Sequence, residues 1–166
     1  MNYSPVTVIL EQNIPVCGLV LVLSTSQAEN FIRIKKHWQL FNQDLKKYGL
    51  GQHPSAWEKY GITFKENDHY FYLAAIPQPM KNIPAHFVQK VLPQGPYALF
   101  THLGKMEKIK QTLFDIYKKI VPTLNIVIED HKQVGFLHFE KYDHRFQWDK
   151  ADSVIDLYLP LKRERA

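Results

Sequence analysis

A single cysteine stands in the 166 residues, so no internal disulfide can form and burial must hold the fold together. Cys17 lies between Val16 and Gly18 in an apolar run, the setting of a small core residue, and a reducing, cytoplasmic location is the expectation. No stretch reaches the ~18 to 20 consecutive apolar residues of a membrane span. Met1-Asn2-Tyr3-Ser4-Pro5 has no cationic start ahead of an apolar segment, which predicts no secretory signal. Glycine is scarce, with 7 residues, and none builds a phosphate-cradling loop or a G-x-S-x-G elbow. The eight histidines form no His-x-x-x-His pair: His131, His138 and His144 fall on different elements, and His37, His53, His69, His86 and His102 are dispersed. No metal and no cofactor is therefore expected. A long basic stripe is missing too. The net charge of +5 comes from short pairs such as Lys35-Lys36, Lys46-Lys47 and Lys118-Lys119 and from the tail Lys162-Arg163-Glu164-Arg165, which solvated helix faces and a terminus explain better than nucleic-acid binding.

What is present is a regular alternation of strand and helix patterns. Val6 to Glu11 and Val16 to Leu23 are β-branched runs separated by Gln12-Asn13-Ile14-Pro15 and read as strands. Ser26 with Glu29 fits a capping box, and Phe31, Ile34, Trp38, Phe41, Leu45 and Tyr48 then recur at helical spacing up to Gly49 and Gly51. Trp38 reads as core on that stripe. Trp57 to Phe64 and His69 to Ile76, joined by Lys65-Glu66-Asn67-Asp68, make an aromatic hairpin. Past Pro77, Pro79 and Pro84 the pattern recurs. His86 to Leu92 is a strand, Pro93-Gln94-Gly95-Pro96 a turn and Tyr97 to His102 a strand; a helix after Gly104 carries Met106, Ile109, Leu113, Ile116, Tyr117 and Ile120 and stops at Pro122. The runs Phe136 to Phe146 and Ser153 to Leu161, both alternating with period two, complete it. This predicts one α+β domain over residues 1–166, built from duplicated strand-helix-strand-strand units with halves at about 1–78 and 84–161.

In such a fold each helix covers one face of its half-sheet, and the two half-sheets form a central groove with the helices on the opposite side. Leu137, Phe139, Ile155, Leu157 and Leu159 are the expected covered side. Glu140, Tyr142, Asp156 and Tyr158 then line the groove, with Tyr60 and members of either the Tyr70/Tyr72 or the His69/Phe71 set from the first half, whose strand parity the pattern leaves open. Composition alone reads Glu140 as a solvated residue on an open face; its place between a phenylalanine and a tyrosine in an apolar strand reads it as the carboxylate at the floor of an aromatic pocket. Trp57 and Trp148 fall in less regular segments and suit either the groove rim or plain solvent shielding.

The order Pro93-Gln94-Gly95-Pro96-Tyr97-Ala98-Leu99-Phe100-Thr101-His102-Leu103-Gly104, a helix with Ile116-Tyr117 and Val121-Pro122, Phe139-Glu140-Lys141-Tyr142-Asp143, and Ile155-Asp156-Leu157-Tyr158-Leu159-Pro160-Leu161 resembles the gyrase-inhibitor-like (GyrI-like) small-molecule-binding domain. That is the effector-binding domain of AraC- and MerR-type transcription regulators. Gly18-Leu19, Ser24-Thr25-Ser26, Ile34 to Trp38, Phe41 and Tyr60-Gly61-Ile62 resemble its stand-alone, integron-associated branch. The resemblance implies an effector-binding protein whose groove takes small hydrophobic, aromatic or amphipathic, often cationic, ligands. Glu140 would be the anionic anchor, Tyr97 its partner, and Tyr142, Tyr60, Tyr72, Phe71, Asp156 and Tyr158 further ligand contacts. Some relatives resemble hydrolases of electrophilic small molecules, for which Glu140 and Tyr97 would be the catalytic pair; a protein-interaction role, gyrase-protecting or as a regulatory subunit with a protein partner, is the third reading. With strands starting within ten residues of Met1, no helix-turn-helix precedes the domain, so direct DNA binding is not expected, nor is membrane binding.

Overall fold

A computed structural model describes residues 4–50, 58–80 and 82–163 of the chain. Its order is β1 (Val6–Leu10), β2 (Ile14–Val22), α1 (Gln27–Lys47), β3 (Lys59–Glu66), β4 (His69–Pro77), β5 (Val88–Leu92), β6 (Gly95–Leu103), α2 (Ile109–Asp115), α3 (His131–Val134), β7 (His138–Tyr142) and β8 (Val154–Pro160). The fold is α+β, as the alternation of patterns predicts. Trp57, His53 and Gly51 lie outside the described residues.

Local chemistry sets the element ends. The Ser26 hydroxyl accepts the Glu29 N–H at 3.3 Å and starts α1, while the Glu29 carboxylate takes the Ser24 hydroxyl, so the cap is shared between two serines. Asn67 and Asp68 both adopt positive φ, the conformation a two-residue hairpin turn demands, and they fold β3 onto β4. The second predicted helix is a composite: a 3-10 turn Met106–Lys108, then α2, then a single π turn Ile116–Ile120, then Val121–Thr123 around Pro122.

Among the described residues all pairings are antiparallel, in one eight-stranded sheet ordered β1-β6-β8-β7-β3-β4-β2-β5. The order is symmetric about the β7–β3 junction, and each half donates its first strand to the far edge of the other. Consequently β5 and β6, separated by Pro93 and Gln94 alone, do not pair with each other. A two-residue link spans no more than about 11 Å, whereas six strand spacings in a flat sheet would separate its ends by roughly 30 Å. The sheet must therefore curl, and it does so as a half-barrel. The Gln94 N–H donates to Asn13 Oδ1 at 2.7 Å, tying the β5–β6 link to the β1–β2 link where the edges converge.

Both faces of the curled sheet are buried. On the outer face α1 supplies Trp38, Phe41 and Leu45, and Met106, Ile109 and Ile116 follow from the α2 region, against Cys17, Ala74, Phe100, Ile155, Leu157 and Leu159. On the inner face, among the described residues, no long helix intervenes: Val16, Tyr60, Ile62, Phe64, Leu73, Leu92, Tyr97, Phe136, Phe139 and Tyr158 pack on one another. Among the described residues no helix is long and apolar enough to cross a membrane.

Candidate functional site

Register decides which side chains meet. Directly opposed residues of an antiparallel pair point to the same face. Glu140 is paired with Gly61 on one side and Leu157 on the other, so it shares the helix-covered face with Leu157. Phe139 is paired with Tyr158 and Ile62, and belongs to the inner face. The expected grouping of Phe139 with Ile155, Leu157 and Leu159 is corrected here, because the β7–β8 register sets Glu140, not Phe139, opposite Leu157. The aromatic set splits in the same way. Tyr72 and Tyr142 stand beside Glu140 under α1, whereas Tyr97, Tyr60, Phe71 and Tyr158 lie on the inner face and Asp156 shares the parity of Tyr158.

Around Glu140 the arrangement is tight. Glu140 is 3% exposed. The Tyr142 hydroxyl donates to its Oε2 at 2.5 Å, and the Tyr72 hydroxyl, 3.3 Å from that of Tyr142, hydrogen-bonds the same group. Trp38 of α1 donates its indole N–H to the Tyr72 hydroxyl at 3.0 Å and sets its ring edge against Tyr142 at 5.4 Å. Phe146 stands edge-on to Tyr142 at 4.7 Å, and Met106 Sδ lies 4.0 Å from the Tyr142 hydroxyl. Gly61 makes this possible: a Cβ there would overlap the Tyr72 hydroxyl and come within 3.0 Å of Glu140 Oε1. A glycine inside a strand marks such a close approach, and it is the sequence signal that could have joined Tyr72 to Glu140.

Burial has an electrostatic result. Desolvation pushes the Glu140 carboxyl up to about 7, although the two tyrosine hydrogen bonds pull the other way. Among the described residues no cation pairs with it. Burial likewise holds the Tyr72 and Tyr142 phenols well above their ordinary range, with the nearby Glu140 charge adding to it, so both remain donors. On the same face, two residues along β7, His138 hydrogen-bonds the Tyr117 hydroxyl of the π turn at 2.8 Å, and burial lowers it to about 4. It is neutral at physiological pH. Strand alternation puts His138 on the side of Glu140 and Tyr142 but does not mark it as a contact, Phe146 carries no such signal, and Trp38, placed in the core by helical spacing, is both core and a hydrogen-bond partner of Tyr72.

The other expected contacts are engaged elsewhere. Tyr97 donates to the Pro93 carbonyl at 2.7 Å and lines a separate cleft of about 210 Å³ with Gly95, Glu129, Gln133 and Arg163. The acid–base pair of Glu140 and Tyr97 that hydrolysis would need is thus not assembled. Phe71 is stacked on Phe64, and Tyr60 and Tyr158 both contact Phe139. Asp156 accepts from Arg145 at 2.6 Å, and Arg145 also holds Asp143 at 2.8 Å, which pins the segment after β7. Among the described residues no cluster of His, Cys, Asp and Glu has metal-binding geometry.

The comparisons agree with this architecture. A transcriptional regulator of Pseudomonas aeruginosa, BrlR, is 30% identical over 105 residues; the match takes in 61% of this chain but about 37% of that regulator's length. The solved structure of SAV2435 bound to tetraphenylphosphonium superposes with a TM-score of 0.71 at 17% identity, over 98% of this chain and 94% of that one. The integron cassette protein VCH_CASS2 of Vibrio cholerae superposes with 0.52 at 13% identity, over 97% and 95%. At these identities the structural likeness speaks for the fold. The profile of the integron-associated effector binding proteins, Cass2, matches residues 9–161, nearly the whole length. The chain belongs to the integron-associated effector binding protein family.

Proposed function

We propose that this effector-binding protein takes an aromatic or amphipathic cation on the helix-covered face, with Glu140 as the anionic anchor and Tyr72, Tyr142 and Trp38 as the surrounding rings. The observation that carries this is a glutamate 3% exposed whose carboxyl group is hydrogen-bonded by phenols and, among the described residues, paired with no cation. A buried carboxylate without a counter-charge is costly to ionise. A ligand that brings a diffuse positive charge removes that cost and gains ring-face attraction of roughly 0.5 to 2 kcal/mol for each aromatic contact. Tetraphenylphosphonium in the SAV2435 structure is a ligand of this chemistry.

Trp38 and Phe146 both pack against Tyr142, the donor to the carboxyl group, so ligand entry moves one of them. This reading has the chain sense or sequester its ligand in the cytoplasm without touching DNA itself. It also fixes a pH dependence. Cation binding requires the carboxylate, so affinity for tetraphenylphosphonium rises with pH by up to tenfold per unit below about 7 and levels off above it. Calorimetric titration between pH 5.5 and 8.5 measures this, and Glu140→Gln should bind weakly with a flat profile. A wild-type affinity that does not change over this range contradicts the anchor.

A further inference from the structure

We propose that the ligand held over Glu140 also carries a neutral hydrogen-bond acceptor, and that Trp148 is the residue that reads it. This rests on the Glu140 reading and adds the chemistry of the ligand's other end. The starting observation is independent of Glu140: the Trp148 indole nitrogen is buried and has no hydrogen-bond partner among the described residues. An indole N–H can only donate. A buried donor left unpaired bears its whole desolvation penalty, and few such groups persist in native folds.

Its position links it to the site. The Trp148 ring lies 6.1 Å from Phe146, which lies 4.7 Å from Tyr142, the donor to Glu140. Trp148 therefore belongs to a continuous line of rings that leads through Phe146 and Tyr142 to the carboxyl group. Phe31 of α1 packs on it at 5.9 Å, and its own carbonyl accepts the Met106 N–H at 2.9 Å, so the indole is held in place from both sides. The charge pattern along this line is polar. Lys35 Nζ sits over the Trp148 ring at 5.8 Å, while the carboxyl group lies at the far end. A ligand's positive charge is favoured at Glu140 and repelled at Trp148, where Lys35 and the indole N–H both favour an electron-rich atom. The class of ligand that satisfies both ends is an aromatic cation with a carbonyl, ether or ring-nitrogen acceptor remote from its charge.

Three phosphoniums separate the contributions: tetraphenylphosphonium, its 4-acetylphenyl derivative and the 4-isopropylphenyl derivative, which has the acetyl shape without the acceptor. The wild-type protein should bind the acetyl compound about fivefold more tightly than the isopropyl one, and Trp148→Phe should erase that preference while leaving tetraphenylphosphonium affinity unchanged. The indole N–H resonance of Trp148 should shift with the acetyl compound alone. Equal wild-type affinity for the acetyl and isopropyl compounds overturns the inference and leaves Glu140 standing. Equal weakening of all three by Trp148→Phe also overturns it, since the indole would then act by packing. Failure of every phosphonium to bind removes the Glu140 reading and this one with it.

Discussion

The two faces of the curled sheet are almost equally rich in rings and differ in one respect. The inner face joins Tyr60, Tyr97, Phe136, Phe139 and Tyr158, and the Tyr97 phenol is spent on the Pro93 carbonyl. The outer face, under α1, joins Trp38, Tyr72 and Tyr142 around a carboxyl group that no described cation neutralises. Aromatic density alone does not make a site. The outer face is the proposed site because of the acid buried among its rings, whose ionisation an incoming cation would favour.

Four substitutions sharpen this contrast. Phe139→Ala, which removes the ring stacked 4.6 Å from Tyr158, should cost about 3 to 5 kcal/mol in denaturant unfolding, with tetraphenylphosphonium affinity of the folded fraction preserved. If affinity falls in step with stability, the faces are not functionally separate. Glu140→Gln should do the opposite. The folded-state value of about 7 lies above the ordinary 4.5, so the Glu140 contribution to stability is greatest below about 4.5, falls as pH rises toward 7 and is flat beyond. The glutamine variant should therefore gain about 3 kcal/mol on wild type between pH 4.5 and pH 8. The difference between the two proteins is the quantity to measure, since neutral His138, whose value is lowered to about 4, penalises both alike in acid. Gly61→Ala should cost about 1 to 3 kcal/mol by displacing the Tyr72 hydroxyl, and should weaken binding as well. Tyr97→Phe, which loses one bond to a backbone carbonyl, should cost about 1 kcal/mol and leave binding alone.

The elements were legible where periodicity was strong. Phe31, Ile34, Trp38 and Phe41 announced α1, and the alternation from Val154 to Pro160 announced β8. Glu140 stood out as an acid in an apolar strand. What the sequence withheld was the face. Because helices cover one side of the sheet and the sheet covers its other side itself, apolar residues occupy both parities, and alternation no longer distinguishes inside from outside. Phe139 and Leu157 look equivalent in the chain, yet Leu157 is paired with Glu140 and Phe139 is not. The exchange of edge strands was hidden for a similar reason: strand, turn and strand from Val88 to Leu103 reads as a local pairing, while β5 pairs with residues 70 or more positions away and β6 with β8 residues more than 50 away. Asp156 was misleading because the arginine that occupies it sits eleven residues upstream in an irregular segment.

The most direct test of the account is the affinity of tetraphenylphosphonium for wild type, Glu140→Gln and Tyr97→Phe, measured side by side at pH 8 on proteins shown to be folded. The outer-face account predicts that Glu140→Gln loses at least tenfold in affinity while Tyr97→Phe matches wild type. Loss on Tyr97→Phe with Glu140→Gln unaffected would place the ligand on the inner face and contradict it.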